Sequence, residues 1–220
     1  MTAYLKPIWD SYVEHRSLEL LREDILSDPW YEAPKTADES LLMRAVERND
    51  VGAVRLLLSM GDSAQLPALC GFTLLHQAVD EVSVVGSGRK TDLAESNPHL
   101  ETALAVLTAL LDGGADPNVQ GMDGTPLHRA AGWGDVEAAR ILLAYGAGIE
   151  SRMLVDAELT PLLHAALMGQ PQMVRFLMDS GANRSAMSRT SLTGPPMTLR
   201  ELLKRWKVTH IDEILALLDC

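Results

Sequence analysis

Histidine is the residue of this 220-residue chain best suited to acid–base or metal chemistry, and six are present, together with two cysteines, Cys70 and Cys220. A structural zinc site wants four ligands in a recognisable spacing, and Cys70 with His76 supplies two. Gly86-Ser87-Gly88-Arg89-Lys90 superficially resembles a phosphate loop. It lacks the Gly-x-x-x-x-Gly-Lys spacing that lets backbone N–H groups cradle a phosphate, and it does not follow a strand. No Gly-x-Ser-x-Gly occurs, and no nucleophile is paired with a base in an interpretable way. The chain therefore reads as non-catalytic, without cofactor, metal or small-molecule substrate. What the histidines do share is a context. His76 and His128 each follow a threonine by three positions, and His164 follows Thr160 by four.

That context belongs to a larger unit, which must position whatever the chain does. Thr125 suits a helix N-cap, and Pro126 the first helical position, where its missing N–H costs nothing. Ala130 and Ala131 let a neighbouring helix come close. Gly134 supplies a left-handed stop, Asp135 starts a second helix, Leu142 and Leu143 face a core, and Gly146 ends the unit. A helix–turn–helix of this length needs copies on either side to bury its apolar face. Copies are present. Thr73-Leu74-Leu75-His76-Gln77-Ala78-Val79 leads to Leu110-Leu111-Asp112-Gly113-Gly114-Ala115. Thr160-Pro161-Leu162-Leu163-His164-Ala165-Ala166 leads to Gly181-Ala182-Asn183. A weaker copy runs from Ser40-Leu41-Leu42-Met43-Arg44-Ala45-Val46 to Gly61. The starts at 40, 73, 125 and 160 are 33, 52 and 35 apart, so one step carries an insertion of about twenty residues.

A period near 33 with Thr-Pro-Leu-His-x-Ala-Ala resembles the ankyrin-repeat family over about residues 40–183. The resemblance implies an all-α solenoid of stacked helix–turn–helix units, with short β-hairpin or loop connections and atypical terminal caps. It divides the chain into an N-terminal capping helix and linker (1–38), repeats one to four (39–188, with the insertion at about 82–100) and a degenerate C-terminal capping repeat (189–220). In this family the imidazole of Thr-x-x-His bonds backbone and threonine groups, so His76 and His128 are expected to be structural. His164, one place later, is expected to face the groove. Asn118 after Asp116-Pro117 resembles the hairpin context of hydroxylated ankyrin asparagines, and local hydrogen bonding is the preferred reading.

The same resemblance implies a partner surface made by hairpin tips and exposed first-helix positions. The first repeat offers Arg44, Glu47 and Arg48, and the second Gln77, Asp80 and Glu81. The third offers Met122, Asp123, Arg129, Gly132 and Trp133. The fourth offers Arg152, Met153, His164, Leu167 and Met168. Trp133 between two glycines stands out, because the repeat does not require an apolar residue there and exposed tryptophan is a typical interface anchor. Packing beneath the connection at 148–159 is the alternative.

Outside the repeats, residues 7–27 read as one amphipathic helix, either a cap or a docking helix offering Trp9 and Tyr12 to a partner. Thr198-Leu199-Arg200-Glu201 reads as a capping box after a loop at 191–197. A second terminal helix starts at Thr209 or His210. The formal net charge is −11, with eleven acids and six bases in residues 1–50 and eight acids and three bases in 51–120. Nucleic acid, which demands Lys and Arg, is excluded as the expected partner. An acidic surface serves solubility, and it also attracts a basic protein. No apolar run is long enough to span a bilayer and no signal-peptide core is seen, so a cytoplasmic location with reduced thiols is expected. The resulting expectation is protein recognition, as a stand-alone inhibitor or immunity-type protein of a basic enzyme or toxin. A scaffold, a targeting adaptor or a bacterial effector engaging host proteins is the alternative.

Overall fold

The N-terminal segment begins where the apolar stripe of residues 8–13 meets a break that the stripe does not announce. In the computed structural model, which describes residues 6–27, 40–66, 72–86, 98–154, 158–189, 196–206 and 208–218, the expected single helix over 7–27 is two, α1 (Lys6–His15) and α2 (Leu18–Ser27). Arg16 adopts the left-handed region with φ 53°, and the Ser17 hydroxyl then accepts from the Leu20 N–H to start α2. Trp9 and Tyr12 are buried, which removes them as docking side chains. The Tyr12 hydroxyl donates to Asp50 Oδ2 at 2.5 Å, while Asp50 Oδ1 accepts from the Ala53 N–H. Burial, and then the Asp50 carboxylate, push the Tyr12 phenol up to about 12. One carboxylate thus starts a helix and fastens α1 to it.

The described residues fall into two compact units, 1–81 with 90–116, and 82–89 with 117–220. In the first unit α1 packs on α2, and α3 (Leu41–Glu47) packs on α4 (Val51–Ser59). The second repeat has unusually long helices. Its α5 (Leu74–Gly86) has 13 residues and its α6 (Pro98–Asp112) has 15, against 7 for α3. The insertion expected at 82–100 is therefore entered by helix from both sides, and residues 87–97, with Gly88, Arg89 and Lys90, lie outside the described residues. Cys70 and Cys220 also lie outside them.

In the second unit α7 (Pro126–Trp133) packs on α8 (Val136–Ala144) and on α9 (Pro161–Leu167), which in turn packs on α10 (Pro171–Asp179). Ala130, Ala131, Ala165 and Ala166 are fully buried, so helices carrying only a methyl group at these positions close on one another. Asn118 bridges two turns, its Nδ2 donating to Gly146 O at 3.0 Å and its Oδ1 accepting from the Gly148 N–H at 2.7 Å. Beyond α10, the loop expected at 191–197 is partly strand. Here β1 (Met187–Arg189) pairs antiparallel with β2 (Pro196–Thr198). The capping box forms as read, with Glu201 Oε2 accepting from the Thr198 N–H at 2.7 Å, and it opens α11 (Leu199–Trp206). Then α11 packs on α9, and α12 (Ile211–Leu218) on α10.

Candidate partner-binding site

The start of α7 sets the site. Thr125 N–H donates to His128 Nδ1 at 3.1 Å, and the Thr125 hydroxyl meets the same nitrogen at 2.9 Å. A ring nitrogen that accepts a backbone N–H carries no hydrogen, so Nε2 holds it and donates to Leu159 O at 3.0 Å. His76 repeats the local contact with Thr73. Where Leu163 takes the same slot in α9, the Thr160 hydroxyl accepts from the Leu163 N–H instead, and the imidazole moves to position 164. There its Nδ1 donates to His128 O at 2.9 Å.

That displacement brings His164 into a cavity of about 330 Å³ beside the end of α7. Trp133 and Met168 form exposed walls, at 59% and 51% accessibility, and Met153 is a buried one. Arg129 and Asp123 close one side. Arg129 NH1 donates to Asp123 Oδ2 at 2.8 Å, with the arginine side chain 18% exposed and the aspartate 56%. Besides Gly132, six of the residues expected to bind a partner therefore share one cavity: Asp123, Arg129, Trp133, Met153, His164 and Met168. Met122 is exposed on the adjoining hairpin, where Gly121 and Gly124 pair, and Leu167 is half-buried.

Two features of this cavity were not visible in the repeat pattern. Gly132, read as a free surface position, is fixed by packing: a Cβ there would lie 2.8 Å from His164 Cε1. Gly134, at φ 80°, faces the Gln170 amide, whose Nε2 donates to Gly132 O at 3.2 Å. Trp133 thus sits on a helix end held by α9 and by the residue that starts α10. Arg152 also bonds within the fold. Its guanidinium donates to Glu158 O at 2.8 Å and to Met187 O at 3.0 Å, tying its loop to β1. A second cavity of about 350 Å³, lined in part by Phe176 with the Arg140 guanidinium 5.1 Å above its ring, carried no sequence motif.

The first-unit candidates form their own group. Arg44 pairs with Glu47 at 2.8 Å, and Gln77 donates to Glu81 at 2.8 Å. Arg48 is exposed, and Asp80 is half-buried. Burial first, then the charges of Glu47 and Asp80, hold the Glu81 carboxyl above its ordinary range, while bonds from Gln77 and Asn49 oppose them. The folded state keeps this proton to higher pH than the unfolded chain does. The resulting stability is present below the ordinary carboxylate range and is lost as pH rises through the raised value. Glu81→Gln is therefore expected to melt at a higher temperature than the parent at pH 7, with the gap closing towards about pH 4. An equal gap at both pH values, in thermal scans by circular dichroism, would contradict this.

Among the described residues no group of three or more His, Cys, Asp or Glu side chains is placed to hold a metal ion, and no helix is long and apolar enough to cross a membrane. A family model described as ankyrin repeats (3 copies) matches residues 96–188. Protein PhlB of Serratia liquefaciens is 37% identical over 100 residues, covering 45% of this chain and 44% of that protein. The human transient receptor potential cation channel subfamily A member 1 is 28% identical over 159 residues, covering 63% of this chain and 14% of that protein. The chain thus spans less than half the length of either relative. Ankyrin repeats are protein-interaction modules. The matched repeats over 96–188, the Thr-x-x-His helix starts and the stacked helix pairs of each unit agree in supporting an ankyrin-repeat protein.

Proposed function

We propose that the chain recognises a protein partner without catalysis, through the cavity beside Trp133 and the hairpin tips and first-helix positions around it in the same unit. The supporting observation is the exposed indole itself. A tryptophan held on a rigid helix end, with two methionines and an ion pair around it, has the makeup of an interface anchor rather than a core residue. On the first unit Arg44, Glu47, Arg48, Gln77, Asp80 and Glu81, and on the second Met122, Arg152 and Leu167, are proposed as further contact residues. The first unit holds nineteen acids and eight bases, and the second eleven of each, so the whole formal −11 belongs to the first. A basic protein is the partner this field favours, and inhibition of a basic enzyme or toxin is the activity proposed from it. A cytoplasmic location completes the reading. Affinity capture with the intact chain, compared between about 50 mM and about 500 mM salt, tests it (salt screens charge steering). A captured protein that is basic and is lost at high salt supports the proposal, and a strongly acidic one, or salt-independent capture, overturns it.

A further inference from the structure

Resting on that docking reading, we infer that the cavity beside Trp133 receives one cationic side chain of the partner, an arginine by shape, laid over the indole and paired with Asp123. Three observations converge on this chemistry. The first is the asymmetry of the rim ion pair. Arg129 is largely covered at 18% exposure, whereas Asp123 is 56% exposed, so the open edge of a formally neutral pair presents its carboxylate. Asp123 gives one oxygen, Oδ2, to Arg129, and Oδ1 accepts no bond from the described residues. A guanidinium arriving from solvent finds an acceptor there.

The second is the indole. Trp133 is 59% exposed, and tryptophan offers the strongest aromatic face for a cation. A guanidinium is planar and weakly hydrated, so it stacks on that face while its edge reaches a carboxylate, which an ammonium does less well. The third is the remaining wall. Met153 and Met168 are unbranched thioethers lining the same cavity, and the aliphatic stem of an arginine packs on such surfaces while its head stays polar. The volume of about 330 Å³ leaves room for a whole long side chain. A partner aspartate or glutamate would meet the exposed carboxylate, and a purely apolar side chain would leave Asp123 Oδ1 unused.

The test uses the full chain labelled with 15N at its tryptophan indoles, the Trp133 resonance being assigned by its loss in Trp133→Phe. Four tripeptide amides, acetyl-Gly-X-Gly with X arginine, lysine, leucine or glutamate, are titrated separately. The arginine peptide is expected to shift the Trp133 resonance to saturation and to bind about twofold to fivefold more tightly than the leucine peptide, the span of an exposed cation–π contact. Lysine should fall between them, and glutamate should not bind. Asp123→Asn should weaken the arginine peptide about threefold or more and leave the leucine peptide unchanged, since it removes charge and keeps the shape. Three results overturn the inference: a leucine peptide that binds as well as arginine, an arginine affinity indifferent to Asp123→Asn, or no shift with any peptide. The first would keep Trp133 as an apolar anchor and leave the docking reading standing. Failure of the docking reading itself is seen separately, as capture of the protein partner unaffected by Trp133→Ala.

Discussion

Trp133→Ala is expected to weaken binding of the captured partner by about 30-fold or more, equivalent to about 2 kcal/mol, while leaving the melting temperature nearly unchanged. The two halves of this expectation rest on different parts of the geometry. An indole that is 59% exposed has little to lose on unfolding, and substitution at such a surface typically stays within about 0.5 kcal/mol. Its backbone is held by neighbours. Gly132 O accepts from Gln170, and Gly134 takes the left-handed turn that ends α7. Alanine keeps both. What alanine removes is the largest apolar wall of the cavity, at the place where a partner side chain would be desolvated. Isothermal titration beside a thermal scan reads both quantities on one preparation. A large fall in melting temperature would show instead that Trp133 packs under the loop carrying Met153. An unchanged affinity would move the interface elsewhere on the molecule.

Periodic features of the sequence were legible because they repeat. Thr-x-x-His, the paired alanines and the terminal glycines recur in step. Each answers a single physical need, whether capping, close approach or a left-handed turn. They placed α3 to α10 and separated Trp133 from the scaffold around it. The features missed are those that happen once. Nothing periodic marks Arg16 as left-handed, so the helix expected over 7–27 was not divided at Ser17, although a serine ahead of Leu18-Glu19-Leu20 was the available signal. The run Val82-Ser83-Val84 looked like the start of an insertion. It continues α5, with Val82 fully buried. Strand β2 was hidden because a three-residue strand that opens on one proline and follows another makes a weak pattern, and its pairing with β1 is not periodic.

The candidate site was legible in composition and not in arrangement. Six of its residues follow from repeat register alone, and the cavity brings them together. Contacts between consecutive repeats were invisible. Gly132 looked free because its own repeat does not demand glycine, and His164 of the next repeat does. Arg152 was read for its charge alone, and the bonds of its NH1 to the carbonyl oxygens of Glu158 and Met187 were not foreseen. A register-based reading assigns each side chain to its own unit, while packing is decided by the neighbour 30 to 36 positions away.

His128→Ala is expected to destabilise the fold by about 2 to 4 kcal/mol, a large part of the stability of a domain this size. The imidazole is fully buried and bonded at both ends. Its removal leaves a void and strips the buried Thr125 N–H of its acceptor. Leu159 O fares better, because it also accepts from the Met153 N–H at 3.0 Å. That shared carbonyl links scaffold to site: His128 and Met153 hang on one oxygen, and His128 O in turn holds His164. Losing the imidazole should therefore loosen the cavity as well as the helix start. His128→Gln separates the two effects, since a glutamine at this position reaches back to the N-cap N–H as in a capping box but is too short to replace the bond to Leu159. It should recover roughly half of the loss in urea unfolding. Hydrogen exchange should quicken at Thr125 in the alanine variant alone, and at Met153 in both. Glutamine as damaging as alanine would mean that the bond to Leu159, and not the helix cap, carries the stability. A melting curve unmoved by His128→Ala would contradict the burial of the imidazole itself.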